Sequence, residues 1–462
     1  MIRLAALLML CLCARAVGAA PSAADVARLG KDLTPSGATR AGNADGSIPV
    51  WSGAAAFTEA QRSMTRAQLE DIRKNRPAEL ENFAGVGADK PLYTVDKSNM
   101  AKYADKLSAG QKAMLEMYPD YKLNVYRSVR GSFFPAQIDA ATAANATRAT
   151  LSGTDGLKGA QIGFPFPIPG NGAEVIWNHK LKFRGTALRR FNNQAIVKPD
   201  GSYTLSKLTE DVKFKYANFR QPPAADNKLL FYFLATILSP ARVAGQLTLV
   251  HESMGTEGGG RSAWIYNPGI GRTNRAPDVG YDNPSVGSDG EQFNDQVDVF
   301  NGALDRYDWK LLGRREMLIA YNSYRLNSPR HKYDELIRPH HLNSELTRYE
   351  LHRVWVVEAT LRAGTRHSLA RRTFYLDEDS WSIAAVDGYD AQGKLWKVQE
   401  AHLMTYPFLP TTTGSPEVIY DLRSGRYFVT AMSNEDAISD FEIAFEDDAF
   451  APASLQRRAR KR

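Results

Sequence analysis

The chain has 462 residues, 43% of them hydrophobic, which is enough for a sizeable core in one large β domain or two smaller ones. Its formal charge of +7 does not describe the body: Arg3 and Arg15 belong to an N-terminal leader and Arg457, Arg458, Arg460, Lys461 and Arg462 crowd the C-terminus, leaving as many acidic as basic residues between. With no basic stripe, nucleic acid is excluded as a partner, and since Cys11 and Cys13 both fall in the leader, the mature chain has no disulfide or cysteine metal site.

Residues 1–19 carry Arg3, an apolar run from Leu4 to Cys13 and the small residues Val17, Gly18 and Ala19, the pattern of a cleaved secretory signal. Leu8, Met9 and Leu10 lack the small residue expected before a lipidated Cys11. No later window offers about 18 uncharged apolar residues, so an exported, soluble mature chain without a transmembrane segment is expected. Residues 20–160 read as an N-terminal arm and a helical cover. Gly, Pro, Asn and Asp recur too often over residues 33–51 for a regular element. Helical patterns follow at 65–75, at 99–118, where Met100, Tyr103, Leu107 and Leu115 share a side, and at 135–149; a strand is expected at 123–129 and a rigid proline segment at 163–169.

Strands dominate from residue 174 onward. Val212, Phe214 and Tyr216 alternate with Lys213, Lys215 and Ala217, a half-buried strand, whereas residues 229–238 form a continuous apolar run that is buried on both faces or lines a cavity. Further strands are expected at 246–250 and 262–266, then a long loop over 267–294, a short helix over 295–304, a hairpin over 309–320 and an irregular link over 328–348. Residues 352–402 read as four successive strands at 354–361, 372–376, 381–386 and 395–402. The links at Ala363-Gly364, Asp377-Glu378-Asp379 and Asp390-Ala391-Gln392-Gly393 are short enough to force antiparallel neighbours. The expected fold is α+β and β-dominated. A large curved antiparallel sheet takes in residues 174–320 and 352–430, within a domain spanning 161–450, and residues 99–118 cover its concave side. A basic, disordered tail is expected at 451–462.

The segments LGKDLTP (29–35), AGNADGSIP (41–49), PFPIP (165–169), YNPG (266–269) and RYELHRVWVVE (348–358) resemble those of the bacterial DUF1329 family. That family is similar to the LolA and LolB outer-membrane lipoprotein-sorting proteins, whose fold is an open antiparallel half-barrel with helices closing its mouth. The resemblance implies a periplasmic carrier of a lipid or other hydrophobic molecule, working with an outer-membrane protein or efflux pump, with no cofactor and no catalytic residues. One departure weakens a basic rim: where the family has an arginine-dense stretch after YNPG, this chain has IGRTNRAP.

Signatures of catalysis are sparse. There is no G-x-S-x-G elbow, Gly287-Ser288-Asp289-Gly290 has the wrong spacing, and Gly269-Ile270-Gly271 lacks the third glycine of a dinucleotide site. The adjacent His340 and His341 cannot hold one metal as a helical pair would, and Asp377-Glu378-Asp379 reads as a polar turn rather than a calcium loop. No metal site is expected.

Aromatic residues make the better case. Trp177, Phe231, Phe233, Trp264, Tyr266, Trp355, Trp381 and Trp396 are all expected on strands, where they are plain core or the lining of a concave apolar surface. Arg184, Arg272 and Arg275 are candidate rim contacts to a head group. Two functions remain: a periplasmic carrier with an open apolar cavity, or an interaction partner of an outer-membrane protein with a filled core.

Overall fold

Strand Tyr427–Met432, late in the chain, pairs antiparallel with Asn193–Val197, and that one pairing joins two blocks of strands into a single sheet. The structure, a computed structural model, describes residues 20–224, 226–256, 259–276, 281–285 and 287–460; the leader expected at 1–19 lies outside them. From one edge the order runs Tyr307–Ala320, Tyr349–Leu361, Arg371–Asp377, Ile383–Tyr389, Leu395–Tyr406, Thr411–Asp421 and Tyr427–Met432. It continues through Asn193–Val197, Tyr203–Phe214, Leu229–Ser239, Leu247–Ser253 and Ser262–Asn267 to Arg272–Ala276. Ala187–Phe191 adds to the middle beside Tyr203–Phe214, and Tyr93–Val95 with Leu123–Tyr126 flanks Tyr349–Leu361, the latter by a short parallel pairing. The other pairings in the sheet are antiparallel, and it is open rather than closed into a barrel. The hairpin expected over 309–320 is instead one long strand, Tyr307–Ala320, whose register shifts between Leu311 and Gly313. A bulge there absorbs the glycine without a turn.

Strand alternation gives the sheet two different faces. On one, Met114 and Leu115 of helix Ala109–Met117 pack with Val398, Val418 and Tyr420. The helix is fixed by Asp387, whose carboxylate accepts from the backbone N–H of Ala109 (2.9 Å) and Gly110 (2.8 Å) and from the Ser108 hydroxyl (3.0 Å). A Cβ at Gly110 would stand 2.5 Å from both Asp387 Oδ1 and Val398 Cγ1, so only glycine lets the helix come this close. The same face continues to Leu234, Leu247 and Leu249, which pack with Phe450 and Leu455. Within the tail expected to be disordered, Ser454–Arg460 is a helix, held by buried Leu455 and by an ion pair from Arg458 to Asp211 (3.0 Å).

The opposite face holds the cavity described below, so residues 99–118 lie on the side of the sheet away from the cavity. Helix Gly172–Lys180 packs there against Tyr307–Ala320 and Tyr349–Leu361, and Ile138 of helix Ala136–Arg148 joins the same core. The strands expected from residue 174 onward do not start there: residues 172–180 are a helix. They are helical because Asn171 caps the Glu174 N–H (3.0 Å) while the Glu174 carboxylate accepts from the Gly170 N–H (2.6 Å). The turn-rich arm lies against the body. Buried Arg130 donates to the carbonyls of Thr39 (2.7 Å) and Pro49 (3.1 Å) and to the Asp379 carboxylate (2.7 Å).

Candidate functional site

Three antiparallel strands build an apolar wall whose side chains stand in rows. Phe214 lies opposite Phe231, Val212 opposite Phe233 and Phe233 opposite Val250, so these rings and branched chains share one face. With Ala235, Ile237, Thr248 and Ile265 they line a cavity of about 700 Å³, inside the range of roughly 300–1,000 Å³ for small-molecule sites. Ser285, Gln292, Asn294, Val297, Asp298 and Phe441 contribute facing groups. The long loop thus becomes part of the enclosure.

The end of the cavity near Phe214 is charged. Asp298 takes ion pairs from Arg184 and from Lys182 (2.6 Å), while the Arg184 guanidinium lies over the rings of Phe214 (5.2 Å) and Phe231 (5.8 Å). Farther along the wall, where Glu210 lies opposite Ala235, Arg190 pairs with Glu210 (2.7 Å), which also accepts from Asn192 (2.6 Å). His179 stands behind Asp298. Burial, with Lys182 beside it, lowers its pKa to about 3, so the ring is neutral. Its Nδ1 accepts from the Ile383 N–H (3.1 Å), which leaves Nε2 to donate to the Asp298 carbonyl (2.8 Å). Burial opposes ionisation of Asp298, but Lys182 and Arg184 outweigh it and hold the carboxyl well below its usual range. Glu417 also lines this end and accepts from the Val299 N–H (3.2 Å); burial, helped by the nearby Asp298 charge, pushes its carboxyl up to about 7. Arg261 and Glu252, ion-paired at 2.6 Å, stand between this cavity and a smaller polar one of about 330 Å³ and line both.

Of the aromatic candidates, Phe231 and Phe233 line the cavity, and of the arginines, Arg184 does. The others are elsewhere. Trp264 and Tyr266 face the opposite side because Ile265 between them faces the cavity, and they pack near Phe450 and Leu455. Trp177 is buried in helix Gly172–Lys180 with the Lys180 ammonium over its ring (4.6 Å). Trp381 is fully buried, stacks on Trp355 (5.9 Å) and donates to the Ser36 carbonyl (2.9 Å), so it is core beneath the arm, with the half-buried Trp355 packed against it under the Arg314 guanidinium. Trp396 donates to Asp421 (2.9 Å) under the Arg423 guanidinium. Arg272 and Arg275 are exposed on the last strand of the sheet. Arg190, Glu210, Asp298 and Glu417 were missed; the signal for one was Glu210, which keeps phase with Val212 and Phe214 along an apolar row.

A second charged cluster is buried under the arm. One ligand atom each of His352, Asp377 and Asp379 lies within 4.8 Å of the others. These charges are already matched. His352 Nε2 meets Glu350 (3.2 Å) and its Nδ1 Asp377 (3.5 Å), Arg348 meets Glu350 (2.6 Å), and Arg130 meets Asp379. Burial lowers the His352 pKa, but its bonds to Asp377 and Glu350 more than offset this and raise it to about 9. The Asp377 turn is thus not a solvated polar loop but an internal anchor for the arm. His340 and His341 take no part: His340 stacks on Tyr118 (4.6 Å) and His341 is buried beside Tyr121.

Fold and cavity together define an open-sheet protein, one face of which encloses a space that is apolar along one wall and charged at one end. The chain belongs to the family described as Protein of unknown function (DUF1329), which it matches over residues 94–456. It is 43% identical over 453 residues to the uncharacterized protein PA3922 of Pseudomonas aeruginosa, covering 97% of this chain and 96% of that one. Among solved structures it is similar to a DUF1329 family protein from Desulfovibrio piger, with 16% identity, 62% of this chain and 97% of that chain covered and a TM-score of 0.44. A putative outer membrane lipoprotein-sorting protein domain from Vibrio parahaemolyticus has 15% identity, coverage of 62% and 98%, and a TM-score of 0.43.

Proposed function

We propose that this protein binds and carries an amphipathic molecule with a long apolar part, as an exported periplasmic protein working with outer-membrane or efflux components. The observation that carries this reading is the cavity of about 700 Å³ with Phe231, Phe233, Val250 and Ile237 along one wall. A filled core, which the interaction-partner reading requires, would leave no such space. The leader pattern in residues 1–19 supports export. Among the described residues no helix is long and apolar enough to cross a membrane, which fits a carrier that leaves the bilayer with its load. No reaction is part of this reading. Native mass spectrometry of the protein isolated from periplasm, followed by lipid extraction, tests it: a co-purifying amphiphile that is lost on substitution Val250→Trp supports the carrier. A protein free of bound molecules that takes up no fluorescent apolar probe hands the case to the interaction-partner reading.

A further inference from the structure

We propose that the molecule held in the cavity is an acidic amphiphile, its single carboxylate received by Arg184 at the charged end and its chain laid along the row from Phe231 to Ile237. The proposal rests on the carrier reading and deepens it.

Three observations point the same way. First, the charged groups along the cavity hold more cation than anion. Among the described residues, Lys182 and Arg184 share the one carboxylate of Asp298, and Arg190 is matched by Glu210, so one positive charge is left over whenever Glu417 is protonated. A buried surplus charge is costly, and an anionic ligand would remove that cost. Second, Arg184 has spare hydrogen-bonding capacity. Its Nε is shielded from solvent and has no partner among the described residues, although a guanidinium offers five N–H donors in a fixed fork. A carboxylate is the ligand group that matches such a fork. Third, Arg184 stands where polar and apolar lining meet. Its guanidinium covers Phe214 and Phe231, and Phe231 starts the row Phe231, Phe233, Ala235, Ile237. At about 3.4 Å per residue that row runs roughly 20 Å, the length of a long acyl chain. Its far end meets Pro240, Val243 and exposed Arg242, which is where the chain would enter or leave.

A neutral amphiphile would leave the Arg184 Nε unpaired and the charge surplus in place. A cationic one would add to that surplus. A phosphate dianion would need more than one uncompensated cation.

Binding of dansylaminoundecanoic acid and of its methyl ester to delipidated full-length protein tests the proposal. The acid is expected to bind at least about tenfold more tightly than the ester, a difference of about 1.4 kcal/mol. Arg184→Gln should bring that ratio close to one, and Arg184→Lys, which keeps the charge, should preserve part of it. Equal affinities in the wild type, or a ratio that survives Arg184→Gln, would overturn the acidic-head assignment while leaving the carrier reading standing. Failure of both probes to bind would remove the carrier reading and this inference with it. Should Arg184→Gln not fold, a crystal structure of the wild type with the acid decides the matter. A carboxylate within hydrogen-bond distance of Arg184 supports the proposal, and a carboxylate at Arg242 or in solvent refutes it.

Discussion

Burial raises the Glu417 carboxyl to about 7, the Asp298 charge adds to the rise, and Arg190 and Lys182 oppose it. Among the groups facing it, His179 stays neutral and Asp298 ionised through the neutral range, while burial lowers Lys182 toward about 8 against the pull of Asp298. Rising pH therefore adds a negative charge at Glu417 and then weakens a positive one at Lys182, and both changes disfavour an anion. A carboxylate probe, ionised throughout this window, is expected to bind more weakly at about pH 8 than at about pH 6. Glu417→Gln should flatten most of that dependence, which a titration series of the two proteins measures. Trp381 belongs to the core instead. It is enclosed by Trp355 and Phe164 and bonded to Ser36, so Trp381→Ala is expected to lower unfolding stability by about 3–5 kcal/mol in urea melts. Probe binding by the fraction that remains folded should be unchanged, because the ring does not line the cavity.

At the scale of elements, the arm shows how a segment with no regular structure is held. Thr34, Ser36, Ala38 and Ile48 are buried, and the carbonyls of Thr39 and Pro49 converge on Arg130, whose charge is matched by Asp379 and Glu378. Removing one partner from a buried pair costs about 3–5 kcal/mol because the other charge is stranded. Arg130→Met should therefore lose stability on that scale and expose residues 33–51 to limited proteolysis well before the sheet yields, a difference that timed digestion with peptide mapping would reveal. Arm cleavage no faster than in the wild type would mean that the carbonyl contacts are incidental. Helix Ala109–Met117 is held by the same device with the sign reversed, an Asp387 carboxylate receiving the N–H groups of its first turn.

For the molecule as a whole, the pairing of Tyr427–Met432 with Asn193–Val197 is decisive. Because it crosses from the last strands to an early one, neither strand block completes its sheet without the other. Equilibrium unfolding followed by far-ultraviolet circular dichroism and by tryptophan fluorescence should give coincident transitions, since Trp264 reports one block and Trp381 the other. Two separated transitions would mean that the blocks fold as independent units.

Much of this architecture was legible in the amino-acid sequence. Short links between apolar runs allow only antiparallel neighbours, so the meander from Tyr349 to Tyr406 could be read from the Asp377 and Asp390 turns. The alternation of Val212 and Phe214 with charged residues marked a strand with two unlike faces. What sequence could not decide was which face meets which partner. Period-2 alternation places Ile265 opposite in sense to Trp264 and Tyr266 but does not say which side holds a cavity, and Trp177 has the same composition signal in a strand as in the helix that Asn171 starts. The charged groups of the cavity were hidden for a deeper reason: Arg184, Arg190, Glu210, Asp298 and Glu417 come from separate segments, and only long-range pairing brings them together. Local pattern determined the strands and their order of joining within each block; tertiary packing alone decided that helix Ala109–Met117 covers one side of the sheet and that the other side, beside helix Gly172–Lys180, keeps a cavity with one charged end.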